Sequence, residues 1–333
     1  MSWGILGTAK IALSKVIPAM MAGEFSRVTA ISSRDSAKAQ TAAEGLNIEK
    51  FYGSYEDLLN DREIDAVYIP LPNHLHFKWT KKAVEAGKHV LCEKPVAMNA
   101  AEVRELIGIR DKAGLLIQEA FMVRTHPTWL SVKQLVDSGR IGELKSITGF
   151  FSYFNDDQGN IRNNLEKGGG ALLDIGCYCI NLSRFMFEGE PDRVSAMIRK
   201  DPDMGVDVHT SAMLDFASRQ ATFTVSTLLV PYQRMQFFGT SGRIEVQIPF
   251  NIPVDSPTCI FIDDGSELYG EHIESIEFES SDQYTIQGDL FSQSILGGFD
   301  PAITLEDSFG NMAVIDAVFR SAETGRWETP VRI

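Results

Sequence analysis

The chain has 333 residues, 44% hydrophobic, 23% charged and 10% aromatic, with a net charge of -14. That length calls for two domains, and the composition describes a globular protein. The acidic balance excludes a nucleic-acid binder that works by neutralising phosphates, which needs an excess of Lys and Arg. No apolar run is long enough to span a bilayer. The opening residues lack the basic segment and apolar stretch of a secretory signal, so none is expected. Cys92, Cys177, Cys179 and Cys259 fit neither a disulfide framework nor a zinc spacing. Reduced thiols in the cytoplasm are therefore expected.

The first third alternates strand-like and helix-like segments. WGILG (3–7) reads as a short buried strand, and residues 9–22 carry apolar side chains at helical spacing. VTAISS (28–33) reads as a second strand, with a helix in DSAKAQTAAEGL after it. SYEDLLND (54–61) opens on an N-cap serine. IDAVYIPL (64–71) suits a strand covered on both faces. HFKWTKKAVEAG (76–87) is amphipathic and closes on glycine. KHVLCE, a helix near 99–114 and LLIQEAF follow. This alternation predicts a parallel, doubly wound sheet with right-handed crossovers.

After about residue 122 the rhythm changes. Helical stretches are expected near 127–138 and 170–187. Long alternating runs such as LKSITGFFSYF, RVSAMIRK, QATFTVSTLL and QRMQFFGTSGRIEVQI predict antiparallel strands joined by tight turns. Two more helices, near 283–297 and 304–324, end the chain. The expectation is an α/β domain over residues 1–121 and an α+β domain over 122–333, built on a large, open, mostly antiparallel sheet.

Three places in the first domain carry chemistry. GILGTAKIA holds Gly7-x-Ala9-x-x-Ala12, a relaxed dinucleotide fingerprint of the Rossmann type. Gly7 permits the tight turn, Ala9 stands where glycine would let the backbone approach a pyrophosphate, and Ala12 permits close helix–strand packing. The helix N-terminus offers N–H groups and a positive dipole end to phosphate. The alternative is a small-residue turn with no ligand. The second strand ends in Ser32-Ser33-Arg34-Asp35, where an NAD enzyme usually places a carboxylate for the ribose hydroxyls. Serine and arginine suit a 2′-phosphate, so NADP(H) is expected over NAD(H). The competing reading is a solvated turn arginine, with Asp35 as a helix cap. The fourth strand ends in PLPNHLHF, where prolines hold the chain at the carboxyl edge of the sheet and Asn73 is placed to cap the next helix. His74 and His76 have no third ligand nearby, so no metal is expected. Lastly, HVLC runs into Glu93-Lys94-Pro95, which sets a lysine at the tip of a buried strand.

In the second domain GGGALLDIGCYCINLSRF (168–185) follows three glycines with a helical pattern. At 3.6 residues per turn Asp174, Tyr178 and Asn181 share one face. A carboxylate, a phenol and an amide on a largely apolar helix imply either a polar cleft or a structural network.

Together GILGTAKIA, PLPNHLH, EKPVAMN, EAFMVRTHP and GGGALLDIGCYCIN, in that order, resemble the Gfo/Idh/MocA oxidoreductases along essentially the whole chain. The last two are similar to the subgroup of glucose-fructose oxidoreductase, D-xylose dehydrogenase and dimeric dihydrodiol dehydrogenase. That subgroup carries Tyr where inositol dehydrogenases carry His, and here the residue is Tyr178. Ala9 departs from the usual central glycine. The resemblance implies NADP binding, with NAD possible, against Gly7, Thr8, Ala9, Lys10, Ile11, Ser33, Arg34, Leu71, Pro72, Asn73, His76, Glu93, Lys94 and Pro95. It implies a cis bond before Pro95, catalysis by Lys94, Tyr178 and Asp174, and substrate contacts from Lys94, Arg162, Asp174, Tyr178 and Asn181. Arg124 and Arg162 are either cleft residues or structural ones. A phenol near pKa 10 is a poor base at neutral pH, and a neighbouring ammonium would lower that value. The same resemblance implies a homodimer or homotetramer formed through the open sheet.

The expected activity is hydride transfer to or from a sugar or another polyhydroxy small molecule. A ketoreductase of nucleotide-linked deoxysugars is the enzymatic rival. A non-catalytic dinucleotide sensor, or an oligomer with a vestigial cofactor, would be marked by loss of the lysine or the proton donor. Both residues are present.

Overall fold

The computed structural model describes residues 1–268 and 270–333. The chain divides into two compact units: Met1–Met122 with Asp282–Phe309, and Val123–Ser281 with Gly310–Ile333. Residues 282–309 therefore pack with the first unit, although a division at 121/122 assigns them to the second.

The first unit is built from β1 (Ser2–Leu6), a π-helical segment Ala12–Val16 that continues into α1 (Ile17–Ala22), and β2 (Arg27–Ser32). Next come α2 (Ser36–Leu46), β3 (Lys50–Tyr52), α3 (Tyr55–Leu59) and β4 (Ala66–Ile69). Then follow α4 (His76–Glu85), β5 (His89–Cys92), α5 (Ala100–Ala113) and β6 (Ile117–Glu119). All six strands are parallel, in the order β3-β2-β1-β4-β5-β6. Val67, Tyr68, Val90 and Leu91 are fully buried, as strands covered on both faces require. The order reverses between β1 and β4, the switch point at whose carboxyl edge ligands bind in such sheets.

The second unit contains α6 (Pro127–Asp137), β7 (Leu144–Phe154), a π-helical segment Leu172–Gly176 leading into α7 (Cys177–Phe187), and β8 (Arg193–Lys200). Strands β9 (Asp207–Phe216), β10 (Arg219–Ser226), β11 (Leu228–Gly239), β12 (Arg243–Val246), β13 (Thr258–Asp263) and β14 (Glu274–Phe278) complete its sheet. The order is β14-β13-β12-β11-β7-β10-β9-β8, antiparallel except for the parallel pair β7–β10. One face of this sheet is core: Ile147, Ala221, Val225, Leu214, Phe237 and Ile260 are fully buried. The other face carries Thr148, Phe150, Ser195, Met197, Ser211, Met213, Thr222 and Thr224 around a shallow depression, with Met197 and Met213 about half exposed.

Helix α8 (Gln283–Gly297) returns to the first unit, and α9 (Leu305–Thr324) follows it. The docking of α8 is specific. Trp3 stacks at a tilt on Phe291 with centroids 5.8 Å apart, and its Nε1 donates to Ser292 Oγ at 3.0 Å. Asp289 accepts from the backbone N–H groups of Glu24 and Phe25. Among the described residues no helix is long and apolar enough to cross a membrane, and no cluster of His, Cys, Asp or Glu could hold a metal ion.

Candidate active site

In the first unit the fingerprint turn takes the conformation its glycine allows. Gly7 has φ +120°, and its N–H donates to Ser32 O at 2.9 Å. A Cβ there would sit 2.9 Å from Leu71 Cδ2. Thr8, Ala9 and Ile11 are partly exposed and Lys10 exposed, and no side chain caps the helix that follows. The N–H groups of this helix start are thus left to an anion. At the end of β2, Asp35 is committed elsewhere: its side chain accepts from Ala37 N and Lys38 N and caps α2. Ser33 Oγ accepts from Asp35 N at 3.2 Å. Arg34 is exposed. With the carboxylate spent on capping, the groups at this edge suit a 2′-phosphate better than a ribose diol.

The lysine turn is held from several sides. The Lys94–Pro95 peptide bond is cis. Tyr68 Oη donates to Glu93 Oε1 at 2.6 Å, and Val96 N donates to Glu119 Oε1 at 2.9 Å. Both Tyr68 and Glu119 are fully buried. His76, expected at the cofactor, is also fully buried. Its Nδ1 lies 2.7 Å from Pro95 O and its Nε2 2.6 Å from Leu71 O, so it ties the turn to the loop after β4 instead. Burial pushes this imidazole down to about 4. It carries one proton at neutral pH, donates to one carbonyl and faces the other without one. Tyr284, from α8, is buried against the same turn. Burial raises its phenol, Glu93 adds to that, and Lys94 opposes it. Asn73 begins the short 3-10 turn that runs into α4. Glu119, Tyr68 and Tyr284 were invisible as site residues. A Glu within a three-residue buried strand was the signal available for one of them.

In the second unit two of the three glycines are sterically required. Gly170 has φ +121°, and a Cβ on it would lie 2.0 Å from Asp207 Oδ1; one on Gly169 would lie 2.3 Å from Arg162 O. Asp207, almost fully buried, accepts from Leu172 N at 2.7 Å and from Thr210 Oγ1 at 3.0 Å, and so closes the start of the helix. The helix opens with a π-helical segment rather than an α-turn, a feature common at functional sites. Asp174 and Tyr178 both meet β7. Tyr153 Oη donates to Asp174 Oδ2 at 2.5 Å, and Arg162 Nε donates to both Asp174 oxygens at 3.1 and 3.2 Å. The Tyr178 ring lies against Phe151 and Phe250, with centroids 6.2 and 5.5 Å away. Residues 151 and 153 project from the same side of a strand, so the expected shared face holds for Asp174 and Tyr178. Asn181 lies deeper. Asn181 is fully buried, its Oδ1 accepting from Arg124 Nη1 at 3.1 Å, and Arg124 covers the Phe185 ring at 4.1 Å. Arg124 thus packs on α7 through Asn181 and Phe185, and Arg162 bonds to Asp174. Tyr153 was missed, since a tyrosine in an alternating strand carries no distinguishing signal.

Residues 1–121 match the model of an oxidoreductase family with an NAD-binding Rossmann fold, and residues 129–245 match the GFO/IDH/MocA C-terminal domain. The chain belongs to the Gfo/Idh/MocA oxidoreductase family. It is an NAD(P)-dependent oxidoreductase. It is 47% identical to an uncharacterized oxidoreductase of Rhizobium meliloti and 38% identical to a D-xylose 1-dehydrogenase (NADP(+)) of Haloferax volcanii, each over 98% of both chains. A crystal structure of a 3-ketoreductase from Actinomadura kijaniata, in complex with NADP and TDP-benzene, superposes with a TM-score of 0.89 at 33% identity, covering 96% of this chain and 97% of that one. The strand order and the open Gly7 turn fit the family's cofactor.

Proposed function

We propose that this protein is an NADP(H)-dependent dehydrogenase or reductase acting on a CH–OH or carbonyl carbon of a sugar or related polyhydroxy small molecule. What carries the reading is that both groups needed for proton transfer sit on immobilised backbone: Lys94 in a turn tied by His76, Glu119 and Tyr68, and Tyr178 on a helix closed by Asp207. The similarity to an NADP-dependent xylose dehydrogenase over nearly the full chain supports substrate class and cofactor.

Nicotinamide, when bound, supplies or accepts the hydride. Gly7 to Ile11 hold the pyrophosphate, and Ser33 and Arg34 the 2′-phosphate. Leu71, Pro72, Asn73, Glu93 and Pro95 shape the edge where the ring rests. Tyr178 moves the proton at the substrate oxygen: its phenolate takes the hydroxyl proton on oxidation, and its phenol returns it on reduction. Lys94 offers an ammonium, the kind of group that lowers a phenol toward working range at neutral pH. Asp174, held by Tyr153 and Arg162, binds a substrate hydroxyl.

Initial rates with purified protein on aldoses, dihydrodiols and keto-sugars, with NADP(H) and NAD(H), test the reading, with Lys94→Met as the blank. Turnover with NADP(H), lost in Lys94→Met and Tyr178→Phe while cofactor binding survives, is the expected result. Near-normal turnover in either variant removes its assigned role. The A. kijaniata structure favours one second reading, a ketoreductase of nucleotide-linked deoxysugars. Activity on such a substrate alone would select it, and silence despite NADPH binding would favour a sensor. A cytoplasmic location and a homodimer or homotetramer complete the proposal. The support for assembly is the open sheet face with its half-exposed Met197 and Met213. Met213→Lys should yield a smaller species by light scattering.

A further inference from the structure

The geometry points to Gln233 as a positioning residue for Tyr178, acting through the ring of Phe250. This inference rests on the reading of Tyr178 as the group that moves the substrate proton. A tyrosine carries its hydroxyl at the end of a rigid ring, so the ring's orientation decides where that oxygen sits. A displacement of about 1 Å from the productive position can cost on the order of a hundredfold in rate. Helix α7 fixes only the point from which the side chain leaves, so the ring needs fixed neighbours of its own.

Two phenylalanines supply them. Phe250 lies 5.5 Å from Tyr178 between centroids at 43°, and Phe151 lies 6.2 Å away at 63°. Phe151 and Phe250 in turn stack on each other at 4.6 Å and 20°. Each of the three rings meets both others, so Tyr178 cannot turn without moving a neighbour. Phe151 is fixed by its strand, β7. Phe250 lies in the irregular connection after β12, yet it is fully buried. Hydrogen bonds to that connection take the place of a strand ladder. Gln233 Oε1 accepts from Phe250 N at 2.9 Å and from Asn251 N at 3.1 Å. Trp129 Nε1 donates to Pro249 O at 2.8 Å, and Arg234 Nη1 donates to Gln247 O. Of these, Gln233 grips Phe250 itself. It is also the cross-strand partner of Phe151, on β11. One side chain thus ties the backbone of one ring to the strand position opposite the other.

Nuclear magnetic resonance of protein labelled with ¹³C at both tyrosine ε positions follows the ring without any substrate. Tyr178 is the residue whose signals vanish in Tyr178→Phe. A ring that cannot turn shows two ε signals, and a ring that flips shows one averaged signal. Wild type should show two and Gln233→Leu one. Gln233→Glu, which keeps an acceptor oxygen, should show two again. With whichever of the aldoses, dihydrodiols or keto-sugars wild type turns over, Gln233→Leu should lower kcat about threefold to tenfold and leave KM for the cofactor unchanged. It should also raise the solvent deuterium isotope effect on kcat, because proton transfer is the step it slows. A partly unfolded sample would lower kcat and leave that effect as it was. The double variant with Phe250→Leu should be no slower than Phe250→Leu, because Gln233 acts through that ring. Two ε signals in Gln233→Leu, or one in wild type, overturn the positioning. An averaged ring with unchanged kcat and isotope effect, or fully additive losses, overturns its bearing on the reaction. Near-normal turnover in Tyr178→Phe removes the reading of Tyr178 instead. In that case, or if wild type turns over none of the panel, the ε signals still decide for Gln233.

Discussion

The two units each begin their functional helix in the same way and finish it differently. In both, a glycine at φ near +120° is followed by a π-helical segment: Gly7 before Ala12–Val16, and Gly170 before Leu172–Gly176. The first start has no capping side chain, and its loop is partly exposed. The second is closed by a buried carboxylate, Asp207, on Leu172 N. The same backbone device therefore serves opposite ends. Left open, it offers N–H groups to a phosphate; closed internally, it anchors a helix that must carry Asp174 and Tyr178 in fixed register. What differs is the neighbour: a flexible Leu71 side chain at Gly7, against a carboxylate and a backbone carbonyl at Gly170 and Gly169.

The largest expected effect tests that difference directly. Gly170→Ala should cost about 4 kcal/mol, because both the positive φ and the 2.0 Å approach to Asp207 oppose a Cβ. Urea unfolding measures it, and a loss below about 1 kcal/mol would break the comparison. Next in size is the acid side of the first unit. The His76 value near 4 lies below the ordinary histidine range, so its neutral form is favoured by folding. That contribution is present above pH ~6.5 and is lost as pH falls toward 4, up to roughly 3 kcal/mol. His76→Gln should flatten the stability curve in that window; an unchanged curve would show that His76 is not the titrating group.

Asp207 behaves with the opposite sign. Burial raises its carboxyl above the usual range. Its contribution is therefore present below pH ~3.8 and is lost as pH rises through the folded value. Asp207→Ala, which strips Leu172 N of its acceptor, should cost about 2 kcal/mol. Asp207→Asn keeps an oxygen there and should recover most of it, gaining on wild type as pH rises. A constant difference between pH 3.5 and 8 would contradict the raised carboxyl. Smallest in stability is Gly7→Ala, about 1–2 kcal/mol, since the Leu71 side chain can yield. Its effect on cofactor affinity should be the larger one, about tenfold by calorimetry.

Much of this was legible beforehand because it is written in short-range pattern. The Gly7 turn, the Lys94–Pro95 turn and the shared face of Asp174 and Tyr178 each depend on spacing within one segment. The surroundings of His76 and Asn181 were not legible, for the opposite reason. Both are polar residues in the right motif, and both proved fully buried, each serving a partner far along the chain. Tyr153 and Asp207 were missed because a strand residue reveals its face only once its neighbours are known.

The sequence by itself determined the element order, the parallel first sheet and the open second sheet, since hydrophobic period and turn residues act locally. It also determined which residues had chemistry to offer. Tertiary structure alone decided how each was used. Only packing brings α8 back to the first unit, and spends Asp35 on a cap and Asp174 on Tyr153 and Arg162. A hydrogen bond between residues distant in the chain leaves no periodic trace, because its energy depends on where the fold delivers two atoms and not on the residues beside them.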